Sequence, residues 1–385
     1  MKIAYLVSFA PSFLAEYGAE RPPRGGGGAE FLTFKVGEEI QKKGHKVTLI
    51  SRHYSNLPLF EEKGNYKIYR IRTINIPFLR TFFYIFSVFS LLRSIRPDIV
   101  SGQGALQNGF MSSLWGRISP AISLIHVMGS DVNSSPDWYK KTILRLSLIM
   151  SDKTIVLNQG LKQKVNNIQT GLDLFIVPVG AELDRFNFVN KQKARKELKY
   201  KSDENLIIFV GRLTESKGVK YLILAFKKLL SNIPNTHLII VGDGEQKNAL
   251  VRMSKKLSVD NKIDFIGYLE SDQIPLYLIA SDLFVLPSMS EGFPLVIVEA
   301  FAASLPVVIT NAWDSEFLFQ DGHNGFVVEP KDSYQLYDSI FKIMTNDSLY
   351  DTISNNNKTA STNYSWEKIS NNLEEIYLGV EYKNA

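Results

Sequence analysis

Hydrophobic residues in the first half of the chain fall into short runs rich in β-branched side chains, separated by segments of helical length. The runs are apolar at consecutive positions, which predicts strands buried on both faces of a parallel sheet with crossover helices. The predicted strands cover residues 3–8, 46–50, 98–100, 122–127, 153–157 and 175–177. The first half is therefore expected to form one doubly wound α/β domain.

The same pattern restarts after a Lys-rich segment at 191–203, with strands predicted at 206–210, 236–241, 262–266, 283–286 and 306–310. A second doubly wound domain is therefore expected. Beyond residue 361, Trp366, Ile369, Leu373 and Ile376 recur at spacings of three and four, which predicts an amphipathic helix. The predicted organisation is a domain at 1–185, a domain at 186–360, and a terminal helix at 361–385 that packs back toward the first domain.

Length and composition exclude several classes of protein. A chain of 385 residues exceeds what one hydrophobic core usually organises, which agrees with two domains. The absence of cysteine excludes a disulfide framework, a thiolate metal site and a catalytic thiol. The apolar run at 1–7 is too short for a signal peptide and reads as a first strand. The run at 82–92 is about half of the roughly 20 residues that span a bilayer. A cytoplasmic protein is expected.

Charge is distributed unevenly between the predicted domains. Residues 1–185 carry 23 Lys and Arg against 14 Asp and Glu, and the remainder carries 21 against 25. A basic first domain predicts an anionic partner, such as a lipid headgroup, a phosphate or nucleic acid, although a merely soluble basic face fits equally. Five arginines surround the aromatic-rich segment 78–92, which either lies on a membrane surface or forms a buried crossover helix. They are Arg70, Arg72, Arg80, Arg93 and Arg96.

The segment 287–300 leaves a predicted strand through a turn and enters a helix that is expected to begin near Pro294. The amino end of that helix offers free N–H groups and a positive dipole to a phosphate. Glu291 lies on the loop, and Glu299 lies about a turn and a half into the helix. Ionised carboxylates accept hydrogen bonds from hydroxyl groups, as binding of a sugar or ribose requires. A surface glutamate beside a helix glutamate is the alternative.

Other polar residues follow predicted strands in both halves. Arg212 and Lys217 flank a turn after a strand, where two cations suit a diphosphate. Four glycines at 25–28 permit close approach of a ligand to the backbone, although a flexible linker also fits. His126 stands at the end of a strand, before a Gly-Ser-Asp turn, where a structural histidine is the alternative. The chain thus carries polar groups suited to a phosphorylated sugar.

These segments together resemble the retaining GT-B glycosyltransferases, particularly family four, over almost the whole chain. Glu291 to Glu299 matches the E-x7-E motif of that family, and residues 25–30, 126–131, 210–218, 241–244 and 324–326 match family segments in the same order. The resemblance implies the GT-B fold, in which two Rossmann-like doubly wound domains face an interdomain cleft. Met128 departs from the more usual His-Gly or His-Asp pattern after His126.

The resemblance also implies a role for each matching residue. His126, Arg212, Lys217 and Glu291 are the expected catalytic residues: Arg212 and Lys217 hold the diphosphate, Glu291 the hydroxyls of the transferred sugar, and His126 orients that sugar. Glu299 is expected to hold the ribose. The expected donor site comprises Gly27, Gly28, Arg212, Lys217, Gly267, Glu291, Gly292, Phe293, Pro294, Leu295, Val296 and Glu299.

The implied function is transfer of a hexose from a UDP- or GDP-linked donor to a glycan, lipid-linked or small-molecule acceptor, with retention of configuration. Neither a metal nor another cofactor is expected, since no Asp-x-Asp stands where a donor-bound metal would be held. A nucleotide-sugar binding protein without transfer activity and a GT-B epimerase are the alternatives. Nucleic-acid binding rests on the basic first half alone, and no recognition motif supports it. Peripheral attachment to the inner face of the cell membrane is compatible with the enzyme.

Overall fold

The computed structural model describes residues 1–11, 28–53, 57–73, 76–133, 137–291, 294–312 and 318–379. The chain divides into two compact units. The N-terminal unit consists of Met1–Gly180 together with Trp366–Ala385, and the C-terminal unit consists of Ala181–Ser365. Each unit is built on its own β-sheet.

The N-terminal unit contains an eight-stranded sheet with the strand order β3-β4-β2-β1-β5-β6-β7-β8. All neighbouring strands are parallel except β3, which pairs antiparallel with β4 at one edge. The strands are β1 (Lys2–Leu6), β2 (Lys46–Arg52), β3 (Phe60–Lys63), β4 (Tyr66–Ile71), β5 (Ile99–Gln103), β6 (Ile122–Val127), β7 (Lys153–Val156) and β8 (Leu174–Ile176). The six predicted strands of this half are present, with ends that differ from the prediction by at most three residues and agree at both ends in β6.

The described part of residues 1–180 contains six helices, which connect the strands of this sheet. They are α1 (Gly28–Lys42), α2 (Pro77–Ile95), α3 (Gln107–Ile118), α4 (Ser130–Asn133), α5 (Trp138–Met150) and α6 (Gln159–Ile168). The segment between β4 and β5 forms a crossover helix, which was one of the two interpretations of residues 78–92. Only one face of α2 is buried: Tyr84, Val88 and Leu92 enter the core, whereas Phe82 and Phe86 are 64% and 65% exposed.

Strands β3 and β4 were not predicted, because neither has a continuous apolar run. Residues of β4 are buried alternately, and one of the buried residues is Arg70. Its guanidinium donates to the carbonyl oxygens of Ala10, Pro11 and Pro58 and pairs with Glu61 at 2.5 Å. The inclusion of Arg70 among the arginines of a membrane surface is therefore wrong, since its charge is buried and paired.

The C-terminal unit contains a six-stranded, fully parallel sheet with the order β11-β10-β9-β12-β13-β14. Its strands are β9 (Asn205–Val210), β10 (Thr236–Val241), β11 (Ile263–Gly267), β12 (Leu283–Leu286), β13 (Val307–Thr310) and β14 (Gly325–Val328). The helices are α7 (Lys191–Glu197), α8 (Val219–Leu230), α9 (Lys247–Lys256), α10 (Ile274–Ala280), α11 (Leu295–Ala302), α12 (Ser333–Met344) and α13 (Asp347–Ser361). The Lys-rich segment is thus partly helical, and the edge strand β14 was missed because it is short and half-buried.

The last described helix, α14 (Trp366–Leu378), belongs to the N-terminal unit and packs on α1. It begins later than the predicted start at 361, because α13 continues to Ser361. The Tyr377 hydroxyl hydrogen-bonds to the Tyr5 hydroxyl at 2.9 Å, and Glu374 pairs with Lys43 and His45 at 2.7 Å each. These contacts join α14 to β1 and to the connection between α1 and β2.

Among the described helices, none combines the length and the apolar character that crossing a bilayer requires.

Candidate active site

In the C-terminal unit, the loops that follow β9 and β12 meet at the carboxyl edge of the parallel sheet. The backbone N–H of Met289 donates to the carbonyl oxygen of Ser216 at 2.7 Å and joins the two loops directly. Gly218 has a φ of +64°, and a Cβ there would lie 2.0 Å from the carbonyl oxygen of Pro287. Only glycine permits this approach, so the sequence at 218 determines how closely the loops pack.

An ion pair between two predicted site residues joins these loops. Lys217 Nζ lies 2.5 Å from Glu291 Oε1, and Ser288 Oγ donates to the same oxygen at 2.6 Å. The side chain of Glu291 is only 8% exposed, and that of Lys217 is 19% exposed. Because the carboxyl group is shielded from solvent and accepts two hydrogen bonds, its orientation is well defined. Ser288 was missed as a site residue, although its position three residues before Glu291 on the same loop was a usable signal.

Arg212 lies on the loop after β9 and is exposed. Within the described residues it has no ion-pair partner, in contrast to Lys217. An unpaired guanidinium offers up to five N–H donors in a planar arrangement that matches phosphate oxygens. This loop therefore presents one available cation and one cation already held by a carboxylate.

Glu299 lies in α11, which begins directly after Pro294, as predicted. Burial raises the pKa of its carboxyl to about 7, while Arg185 lowers it and Glu182 raises it further. Leu295 and Val296 form the first turn of α11, which carries no acidic side chain. The amino end of this helix is accordingly compatible with an anion. The same helix contains the carboxyl group of Glu299, whose pKa is close to neutral pH.

Gly267 ends β11, two strands away from β9 in the same sheet, so it lies at the same carboxyl edge as Arg212 and Glu291. Its carbonyl oxygen accepts from the N–H of Gly242 at 2.7 Å, which links the ends of β10 and β11. Gly292 and Phe293 lie outside the described residues, as does Gly27 of the N-terminal unit.

In the N-terminal unit, His126 is the second-last residue of β6 and lies near the carboxyl end of that strand. Its Nε2 is buried and has no hydrogen-bond partner among the described residues. Burial lowers the pKa of the imidazole to about 4, so the ring is neutral at physiological pH. Gly28 is the first residue of α1 in this unit. Both residues belong to a different compact unit from Arg212, Lys217, Glu291 and Glu299.

A small cavity of about 40 Å³ borders His126. Gln103 and Trp366 also line it, and the indole Nε1 of Trp366 has no partner in the described part of the chain. Trp366 packs against Gly180, where an added Cβ would lie 2.4 Å from the ring. Asp131 shapes the adjacent turn, since it accepts from the N–H groups of Met128 and Ala105 at 3.1 Å each. Trp366 is far from His126 in the sequence, so no local sequence pattern indicated that both residues line this cavity.

Two sequence families match the chain in tandem. The family described as Glycosyltransferase Family 4 matches residues 26–185, and the family described as Glycosyl transferases group 1 matches residues 190–360. Together they account for most of the chain. Solved structures agree in fold: sucrose-phosphate synthase from Thermosynechococcus elongatus superposes with a TM-score of 0.79 at 19% identity, covering 98% of each chain.

Each half of the chain therefore matches a glycosyltransferase family, and the whole chain has the GT-B fold. Another structure of similar fold is that of HepE from Anabaena in complex with UDP, with a TM-score of 0.76 at 20% identity, covering 99% of this chain and 100% of that chain. The predicted fold of two Rossmann-like α/β domains is confirmed by these matches.

Relatives of this glycosyltransferase include enzymes named for lipid-linked or glycan acceptors. TuaC of Bacillus subtilis (strain 168), provisionally named as a teichuronic acid biosynthesis glycosyltransferase, is 28% identical, covering 92% of this chain and 94% of that protein. The UDP-Gal:alpha-D-GlcNAc-diphosphoundecaprenol alpha-1,3-galactosyltransferase of Escherichia coli is 25% identical, covering 79% of this chain and 81% of that protein.

The C-terminal unit of this glycosyltransferase carries side chains suited to phosphate groups and to hydroxyl groups. Arg212 and Lys217 are cations suited to a diphosphate. Glu291 has a defined orientation and is suited to accept hydrogen bonds from sugar hydroxyls. Glu299 is a second carboxyl, which accepts hydrogen bonds from hydroxyls when ionised. Lys217 and Glu291 form an ion pair in the structure, so a phosphate that bound Lys217 would compete with this carboxylate.

Proposed function

We propose that this glycosyltransferase moves a hexose from a UDP- or GDP-linked donor to a glycan, lipid-linked or small-molecule acceptor, with retention of anomeric configuration. The observation that carries the proposal is the cluster formed by Lys217, Glu291 and Ser288 at the carboxyl edge of the second sheet, with the exposed Arg212 on the same loop as Lys217. It combines cations for the diphosphate leaving group with a carboxyl group of defined orientation that can accept hydrogen bonds from the sugar. UDP in the HepE complex and the UDP-Gal donor named for the E. coli relative support a nucleotide-sugar donor.

In the proposed reaction, the bond between the anomeric carbon and the diphosphate oxygen breaks while the acceptor oxygen bonds to the same face of that carbon. The acceptor proton passes to the departing phosphate oxygen. Arg212 and Lys217 stabilise the negative charge that develops on the diphosphate, and they take the place that a metal ion has in other transferases. Glu291 is held by Lys217 and Ser288, so it serves as an acceptor for sugar hydroxyls and not as a nucleophile.

The remaining predicted residues have supporting roles in this proposal. Glu299 accepts hydrogen bonds from the ribose hydroxyls, and the amino end of α11 with Pro294, Leu295 and Val296 lies against the phosphates. His126 is neutral, so it orients the transferred sugar by a hydrogen bond without adding charge. Acceptors carried on membrane lipids, as in the name of the E. coli relative, fit the basic composition of residues 1–185.

The decisive experiment follows a donor with defined anomeric configuration by NMR in the presence of acceptors. Release of nucleoside diphosphate that requires acceptor, with a product of the same configuration as the donor, supports the proposal. An inverted product rejects retention. Donor binding without release identifies a binding protein instead, and formation of an epimeric sugar without acceptor identifies an epimerase. A parallel reaction with EDTA tests metal independence, since loss of turnover restored by a divalent cation would contradict it.

A further inference from the structure

A groove with a volume of about 1140 Å³ lies on the N-terminal unit, between the second half of α2 and the end of α3. Its walls are formed mainly by Phe86 and Phe89 from α2 and by Trp115 and Ile118 from α3. The rings of Phe89 and Trp115 pack edge to face, with centroids 5.4 Å apart. The groove is therefore a large, mostly apolar feature built on two regular helices.

This groove lies away from the predicted catalytic histidine. Residues 96–98 and 119–122, which also border it, come directly before β5 and at the start of β6. The groove thus opens at the amino ends of these strands, whereas His126 stands near the carboxyl end of β6. His126 is four positions further along the extended strand than Ile122, or about 13 Å. A ligand in the groove would not occupy the place of the transferred sugar.

Apolar side chains extend from the groove onto the neighbouring surface. Phe86 and Ile118 line the groove and are 65% and 62% exposed, and Phe82, one turn before Phe86, is 64% exposed. Ile122 at the other end is also exposed. Contiguous exposed aromatic and aliphatic groups of this kind mark binding surfaces and not ordinary solvated faces.

The charges around the groove are predominantly positive. Arg93 and Arg96 line it, both are exposed, and neither has an ion-pair partner in the described ranges of the chain. One acidic residue, Asp98, borders the groove, and its carboxylate accepts a hydrogen bond from the backbone N–H of Lys2 at 2.7 Å. Helices α2, α3 and α5 contain no Asp or Glu at all. An occupant must accordingly present negative charge beside apolar surface.

We propose that this groove and the exposed face of α2 dock the protein on a bilayer of anionic phospholipids. Headgroup phosphates bind Arg93 and Arg96, while acyl chains contact Phe86, Ile118 and the face that carries Phe82. Interfacial helices bind in this way, with apolar rings in the boundary region and basic residues at the phosphates. Nucleic acid matches the charge but leaves the phenylalanines exposed to water. The proposal does not depend on sugar transfer, because the groove lies at the opposite edge of the sheet from His126.

Vesicle sedimentation tests the charge requirement. The full chain, without any sugar donor, is mixed with vesicles of phosphatidylcholine alone or with 30 mol % phosphatidylglycerol, at about 0.15 M salt. We expect binding only to the anionic vesicles, and a loss of about 30-fold in Arg93→Gln/Arg96→Gln, equivalent to about 1 kcal/mol for each basic residue. The matched control is Arg252→Gln/Lys255→Gln, which removes the same charge from exposed positions of α9 in the other unit. It should bind as the wild type does.

Three outcomes overturn the docking surface: absence of wild-type binding to anionic vesicles, equal binding to phosphatidylcholine, or equal losses in the groove variant and the control. Thermal unfolding with and without nucleotide sugar is measured separately for each variant, so a failure of donor binding is distinguishable from a failure of docking. Both arginines are exposed, so their replacement is expected to leave folding intact.

A second measurement locates the contact. The chain has no cysteine, so Ser90→Cys, at an exposed position lining the groove, accepts a single polarity-sensitive fluorophore. Addition of anionic vesicles should shift its emission to the blue. The same label at Ser348→Cys, an exposed position of α13, should show no shift. A shift at 348 with none at 90 would place the membrane contact elsewhere and overturn the assignment.

Discussion

Replacement of Glu299 by Gln removes a carboxyl whose ionisation opposes folding. Burial raises the pKa of Glu299 from its usual 4.5 to about 7, against a lowering influence of Arg185. Between these two values the unfolded chain has lost this proton, while the folded protein retains it. The folded state therefore binds more protons, and the contribution of Glu299 to stability falls as pH rises from about 4.5 to about 7.

The size of this effect follows from the pKa difference. Each pKa unit corresponds to 1.36 kcal/mol, so the full change across the window is at most about 3 kcal/mol. Glu299→Gln lacks the ionisable group and should lose this part of the pH dependence. We expect the variant to match the wild type near pH 5, within about 1 kcal/mol for altered hydrogen bonds, and to exceed it in stability at pH 8.

Carbon-13 NMR of protein labelled at the glutamate carboxyl carbons measures the pKa directly. One resonance should titrate near pH 7 and should be missing from Glu299→Gln. Unfolding experiments on both proteins from pH 5 to 8 then measure the difference in stability. If every glutamate carboxyl titrates below pH 5, or if the two stability profiles remain parallel, the inferred burial of this carboxyl is refuted.

Nucleotide-sugar binding offers a linked test of the role of Glu299. Ribose hydroxyls that donate to the carboxylate favour its ionised form, so binding should lower the pKa. The bound state then holds fewer protons, and affinity should increase as pH rises from about 5 to 7. Intact nucleotide sugar is the appropriate ligand, because nucleoside diphosphate itself titrates in this window. The same pH dependence in Glu299→Gln would contradict the role.

Further predictions concern catalysis and packing. Lys217→Ala should lower kcat by about 10²- to 10³-fold, the loss typical of a contact to developing charge, while Lys220→Ala, in the next helix, should retain activity in the same steady-state assay. His126→Gln should lower kcat without changing its pH profile between pH 6 and 8, because the imidazole is already neutral there. Gly218→Ala should weaken nucleotide-sugar binding in calorimetry, since its Cβ would displace the carbonyl oxygen of Pro287.

Each of these predictions has a contradicting result. Equal activity of the two lysine variants would remove Lys217 from the site. A rate that gains or loses a titration near pH 6.5 in His126→Gln would show that the histidine is charged during the reaction. Wild-type affinity in Gly218→Ala would show that the close approach of the two loops does not shape the donor site.

Local sequence was sufficient for most of the two sheets. Nearly continuous apolar runs predicted β1, β9, β12 and β13, because a strand covered on both faces is mostly apolar. The start of α11 followed from the Pro294 turn. Strand β4 was not predictable by the same rule, because the burial of Arg70 depends on carbonyl oxygens and a carboxylate contributed by three other segments.

In the candidate site, too, some features were predictable from local sequence and others depend on tertiary contacts. The residue types at 212, 217 and 291 were identifiable from the loops on which they lie, and that at 299 from the helix that follows, since parallel strands place such loops and helix starts at one edge of a sheet. The pairing of Lys217 with Glu291, 74 residues apart, was not. Neither was the raised pKa of Glu299, which results from neighbours that surround it only after folding.

By itself, therefore, the sequence determined the α/β class, the doubling of the fold and the identity of the polar residues at the strand ends, because these depend on local periodicity and on the order of elements. Tertiary structure alone decided which of the cations is neutralised, which carboxyl resists ionisation and which face of α2 stays exposed. Those properties depend on distances and burial between residues far apart in the chain, and short-range pattern contains no information about them.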